Sequence, residues 1–346
     1  MQNRIFNILR IVYILLMLFS ISSCSSDDDL GNLSDTIFVR HKNADMPAYI
    51  HGNGSEKIFL ITLHGGPGGL GLGFKGKAFD RIEKTCAVVY FDQRGSGMSQ
   101  GSYSEEELTI DLIAEDVLAL VKVLKAKYGS DARFFLLGHS YGGTVGTATL
   151  LKNQDDFLGW IEIGSSNNPY GVYFANLTNH ALVANEQIAL GNSIDYWKSV
   201  NHLVLGMDTT TRNDDDSRKL NIEAFKAENR LASDGIINRA NNLSDITFEY
   251  NLLTAYWNTN TIQSIERRFF GDINYTNRLS EITIPTLLLW GKYDMVVPVT
   301  FGTSIFENIG SNSKNLVIFE RSGHSPIASE PDQFAEEVIQ FMNQNK

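Results

Sequence analysis

Two cysteines, Cys24 and Cys86, are all that the 346-residue chain contains. Neither belongs to a C-x-x-C pair, and no H-E-x-x-H spacing occurs. This argues against a disulfide scaffold and against a zinc site, and no metal or cofactor is expected. Basic residues are also scarce: 29 Lys and Arg stand against 40 Asp and Glu, for a net charge of −11. With no basic stripe and no interleaved aromatics and cations, no nucleic-acid partner is expected. Long apolar runs are missing too. The uninterrupted run near the N-terminus, Ile11 to Phe19, has nine residues, well short of the roughly 20 that span a bilayer. What is present, 43% hydrophobic and 20% charged residues, is the composition of an ordinary globular protein of one large domain or two smaller ones.

Arg4 and Arg10, the short apolar run and the small residues Ser20 to Cys24 have the layout of a secretory signal peptide over residues 1–23. The alternative is a tilted membrane anchor from Ile5 to Ile21, which would place Asn7 and Arg10 inside the span. Ile21-Ser22-Ser23-Cys24 resembles a bacterial lipobox, in which Cys24 is lipidated and joins the protein to a lipid bilayer. Ser25-Ser26-Asp27-Asp28-Asp29 resembles the acidic export signal of surface lipoproteins in some Gram-negative bacteria. The alternative is a flexible acidic linker over residues 24–34, and the two are compatible. An exported, membrane-anchored protein at the outer membrane or cell surface is therefore expected. Cys86 opens the apolar run Ala87 to Phe91 and reads as a small buried hydrophobe.

The mature chain begins with a strand pair, Thr36 to Val39 and Ala48 to His51, around a turn containing Asn43, Asp45 and Pro47. Lys57 to Leu63 is nearly continuous in apolar residues, as in a strand covered on both faces. It runs into His64-Gly65-Gly66-Pro67-Gly68-Gly69, where glycine and proline exclude a helix or strand interior. Ala87 to Phe91 is the next strand. Leu108 to Tyr128 has helical spacing, with Gly129 just past its end. Arg133 to Leu137, a helix-like Thr144 to Lys152, and Trp160 to Gly164 follow. This strand–helix rhythm implies crossover units and a mostly parallel sheet.

From Ser165 to about Asp272 the rhythm stops, and a single proline, Pro169, remains among Asn, Asp and aromatics. Such an insertion reads as a mostly helical cap, with Asp214-Asp215-Asp216 as a solvated loop. The sheet pattern resumes at Thr286 to Trp290 and Leu316 to Phe319. A closing amphipathic helix, Pro331 to Met342, completes it.

Three reactive side chains fall at strand ends, in the order Ser140, Asp294, His324. Ser140 lies in Gly138-His139-Ser140-Tyr141-Gly142, a G-x-S-x-G between a strand and a helix, the nucleophile elbow of α/β-hydrolases. A serine hydroxyl is a weak nucleophile and needs a base, here His324. A carboxylate, here Asp294, orients that base and stabilises its charged form. The oxyanion donors are assigned to the backbone N–H groups of Gly66 and Tyr141. His64 and His139 belong to the two loops and are expected to hold loop shape.

His64-Gly65-Gly66-Pro67-Gly68, Asp92-Gln93-Arg94-Gly95-Ser96-Gly97-Met98-Ser99, Gly138 to Gly143 and Gly291-Lys292-Tyr293-Asp294 together resemble the proline iminopeptidase group of α/β-hydrolases. The likeness covers about 35–165 and 275–345 and essentially none of the cap. It implies an α/β-hydrolase fold, with a mostly parallel sheet flanked by helices and a helical cap inserted after the sixth strand. Core segments at 35–165 and 275–346 would enclose a cap at 166–274. It also implies cleavage after a free N-terminal residue, often proline, in short peptides. In that family acidic side chains of the cap hold the substrate's α-amino group. Glu228, in Ala227-Glu228-Asn229-Arg230, is loosely similar to such a residue, and its alternative is a solvated helix glutamate. Two other functions remain open: an esterase or amide hydrolase for small substrates with the same triad, and a non-catalytic surface-binding lipoprotein.

Overall fold

Residues 30–101, 104, 106–239, 250–264 and 273–346 are described by a computed structural model of the chain. The signal-peptide segment and Cys24 lie outside the described residues. The centre of the fold is set by strands with apolar side chains on both faces. In β3 (Ile58–Leu63), β4 (Ala87–Phe91) and β6 (Arg133–His139), alternate residues point to opposite sides of the sheet. Phe59, Ile61 and Leu63 join one apolar cluster with Val89, Phe91, Phe134 and Leu136. Ile58 and Leu60 join another with Val88, Tyr90, Phe135 and Leu137. Two cores, one on each face, therefore clamp the same strands, which is why these strands read as unbroken apolar runs.

The sheet is completed by β1 (Leu33–His41), β2 (Ala44–Gly52), the short β5 (Gln100–Gly101), β7 (Phe157–Ile163), β8 (Thr286–Gly291) and β9 (Lys314–Phe319). Its order is β1-β2-β4-β3-β6-β7-β8-β9, with β5 beside β2. All pairings from β4 to β9 along this order are parallel, and β2 pairs antiparallel with β1, β4 and β5. The β1–β2 turn is tighter than the sequence implies. Lys42 and Asn43 both have positive φ, at 40° and 62°, the backbone of a two-residue hairpin turn. Pro47 lies inside β2 opposite Phe38, and its carbonyl accepts from Asp92 N at 3.0 Å.

One face carries α2 (Ile110–Tyr128) and α3 (Tyr141–Lys152). The Thr109 side chain caps α2 by accepting from Leu112 N at 3.1 Å. The other face carries α1 (Lys77–Ile82) and the C-terminal helix Pro331–Gln344, which packs Phe334, Val338 and Phe341 inward. Cys86 is buried against this second core, and burial pushes its thiol pKa up to about 12.

Between β7 and β8 the described residues hold four α-helices, α4 (Pro169–Leu190), α5 (Ile194–Leu205), α6 (Asp214–Ser233) and α7 (Leu252–Ser264). The insertion follows the sixth of the long strands, because the two-residue β5 precedes it. Asp214-Asp215-Asp216 is not a loop. It forms the first turn of α6, behind the cap Asn213, which accepts from Asp216 N at 2.8 Å. Three acids there favour the positive end of the helix dipole.

Candidate active site

The loops that follow the parallel strands meet at one end of the sheet. At the end of β6 the chain turns through Ser140, which has φ 56° and ψ −123°, and enters α3 at once. A non-glycine residue with positive φ is costly and persists where its surroundings enforce it. Here the Ser140 amide is tied to the β7 carbonyl of Ile163 at 2.9 Å. Glycine is required beside it: a Cβ on Gly142 would lie 2.0 Å from Leu63 O, and one on Gly138 2.5 Å from Gly142 O.

After β8 and β9 come Asp294 and His324, both almost fully buried. The His324 Nδ1–H donates to Asp294 Oδ2 at 2.9 Å. Asp294 Oδ1 accepts from Val296 N at 2.9 Å and Val297 N at 2.7 Å, so both carboxylate oxygens are fixed. Burial lowers the pKa of His324. The Asp294 charge and hydrogen bond, with help from Glu228, outweigh it, and the net shift is upward.

Ser140, His324, Gly66 and Tyr141 line one cavity of about 1040 Å³, while Asp294 stands behind His324. His64 and His139 border the same cavity but are committed elsewhere. His64 donates from Nδ1 to Gly65 O at 2.9 Å and accepts from Gln93 N at Nε2, 3.3 Å away. Burial lowers its pKa to about 4. His139 donates from Nε2 to His324 O at 2.9 Å. Burial and the nearby His324 lower its pKa to about 3. Both imidazoles are neutral at pH 7 and brace the loops.

Glu228 is placed differently from a residue that grips substrate. It lies behind the His324 loop, outside the cavity lining. Its Oε1 accepts from His324 N at 2.9 Å and Met295 N at 3.0 Å. A Cβ on Gly323 would meet its carboxylate at 2.3 Å, so the glycine makes room for it. Burial, then repulsion from Asp294, pushes its pKa up to about 7. Two cap asparagines overlooked in the sequence act similarly. Asn179 donates to Asp294 O at 3.0 Å and Asn176 to Val296 O at 2.8 Å. Their three-residue spacing puts them on the buried face of α4, together with Tyr173, Leu177, His180 and Val183.

The Asp92 to Ser99 motif is structural. Asp92 Oδ1 accepts from Gly71 N and Tyr250 Oη, and Oδ2 from Met98 N. Arg94, fully buried, makes a two-pronged ion pair with Asp116 of α2, both contacts at 2.7 Å. Among the described residues no group of three or more His, Cys, Asp or Glu is arranged to hold a metal ion.

The arrangement is that of an α/β hydrolase, and residues 59–331 match the family defined by the alpha/beta hydrolase fold. The chain belongs to this family. Within it the chain resembles proline iminopeptidases. It is 30% identical to the proline iminopeptidase of Saccharolobus solfataricus over 293 residues, 82% of this chain and 84% of that one. Among solved structures, the proline iminopeptidase of Mycobacterium smegmatis superposes with a TM-score of 0.60 at 15% identity, covering 90% of this chain and 98% of that one. The esterase EaEST from Exiguobacterium antarcticum gives 0.58 at 19% identity, covering 90% and 100%. At these identities the structural likeness speaks for the fold.

Proposed function

We propose that the protein is a serine aminopeptidase that releases N-terminal residues, proline among them, from short peptides. The observation that carries the reading is the Asp294–His324 pair opening onto the same cavity as the elbow serine. Ser140 Oγ attacks the scissile carbonyl while His324 Nε2 takes its proton. Asp294 holds the imidazole with Nδ1 protonated and stabilises the imidazolium. Negative charge on the carbonyl oxygen is met by the N–H groups of Gly66 and Tyr141, each worth roughly 3 kcal/mol in the transition state. His324 then protonates the leaving amine, and a water deprotonated by His324 releases the acyl group from Ser140.

The peptide half of the proposal is supported by the relatives. Since Glu228 faces the His324 loop, the α-ammonium needs another anion. Asp214 is the only carboxylate side chain lining the cavity among the described residues. That scarcity favours the second reading, an esterase or amide hydrolase without an amine anchor. Turnover of aminoacyl arylamides, their N-acetyl forms and aryl esters separates the two. Aminopeptidase action predicts at least a hundredfold loss of kcat/KM on N-acetylation, about the value of one lost charged contact. Equal rates for free and acetylated substrates would favour the second reading. A chain that turns over none of them would favour the binding-only lipoprotein.

We also propose export and anchoring to a bilayer through lipidated Cys24. The basis is the lipobox-like segment alone, and no helix among the described residues is long and apolar enough to cross a membrane. Cys24→Ser is expected to leave the membrane fraction. Retention there would point to the Ile5–Ile21 segment as the anchor.

A further inference from the structure

The cap wall of the cavity is more basic than the chain around it. On a protein of net charge −11, the arginine, lysine and carboxylate side chains lining the cavity among the described residues are Arg212, Arg218 and Asp214. Helical spacing turns Asp214, Arg218, Asn221 and Phe225 of α6 to the same side, towards that cavity. Arg212 precedes the helix, and its guanidinium lies 5.6 Å from the Tyr170 ring centroid, which steadies the fork. Its Nε is buried and has no hydrogen-bond partner among the described residues. Neither arginine makes an ion pair with a described carboxylate. Because Nε is closed to solvent while Arg212 lines the cavity, a ligand there meets the Nη end of the guanidinium. The fork's geometry matches a planar anion held by two parallel bonds.

We infer that Arg212, with Arg218 beside it, forms a carboxylate-reading subsite, so that the substrate carries a free carboxylate on the part that reaches the cap. For the peptides proposed above this is the C-terminal carboxylate, which gives a physical reason for short substrates: a longer chain carries its carboxylate past the arginines. The choice of peptide rests on the aminopeptidase reading, whereas the subsite does not. The same carboxylate recognition also serves an ester whose acyl half is a dicarboxylic acid.

Binding to the full chain carrying Ser140→Ala, measured by calorimetry, separates these cases without turnover. The ligand pairs are a dipeptide against its C-terminal amide, and a dicarboxylic half-ester against its diester. In at least one pair the carboxylate form is expected to bind about tenfold tighter or better, and the pair that discriminates names the source. Adding Arg212→Gln is expected to bring that ratio close to one. Arg212→Lys, which keeps the charge without the fork, should retain part of it, and its thermal melt serves as the folding control. Equal binding within both pairs, or a ratio indifferent to Arg212→Gln, overturns the subsite. Intact discrimination in a wild-type enzyme that cleaves no dipeptide overturns the aminopeptidase reading and leaves the subsite standing.

Discussion

At the scale of single residues, the proposed chemistry depends on how His324 is charged. Burial disfavours its imidazolium, while Asp294 and Glu228 favour it and prevail. A base must be neutral to accept a proton, so a raised pKa moves the acid limb of kcat/KM above the ordinary imidazole value of about 6.5. Activity is lost as pH falls through that limb. His139, the other ring against His324, is neutral throughout this range. Glu228→Gln keeps an acceptor for the two N–H groups but removes the charge, so the acid limb is expected to move to lower pH. A limb that stays in place would mean that Glu228 acts only as a backbone acceptor. The positions of Ser140, Asp294 and His324 at strand ends were legible because each follows an apolar strand. Glu228 was visible as a residue, but its direction was not. Whether a helical glutamate faces a cavity or a backbone loop depends on packing that one helix's sequence does not contain.

At the scale of elements, the loops that shape the site are fastened by buried polar pairs. Arg94 and Asp116 join the loop after β4 to α2, and Arg94 Nη2 also donates to His41 O at 2.8 Å, drawing in the β1–β2 turn. Asp116→Ala strands a buried guanidinium and is expected to cost about 3–5 kcal/mol of stability, read as a lowered urea midpoint at unchanged slope. A loss below about 1 kcal/mol, the range of an exposed pair, would contradict the bond's assigned importance. The central strands were legible because burial on both faces writes itself as continuous apolar residues. The hairpin turn and the first turn of α6 were not. Pro47 looked like a turn residue yet fits β2, where its carbonyl still accepts. Asp214 to Asp216 looked like a solvated run yet sit where a helix start favours negative charge.

At the scale of the whole molecule, core and cap share the site. The core supplies Ser140, His324, Gly66 and Tyr141, and the cap supplies the opposite wall. The cap also reaches beneath the chemistry, through Asn176 and Asn179 of α4 and Glu228 of α6, to the loops that carry Asp294 and His324. Cap substitutions can therefore alter catalysis as well as selectivity. The central claim is that Ser140 is a nucleophile activated by His324, and it is tested by reacting the full chain with a fluorophosphonate and mapping the adduct by peptide mass spectrometry. The account predicts a single adduct on Ser140, none in Ser140→Ala, and labelling slowed by roughly a thousandfold or more in His324→Ala. An unlabelled wild type, or equal labelling of wild type and Ser140→Ala, would contradict it.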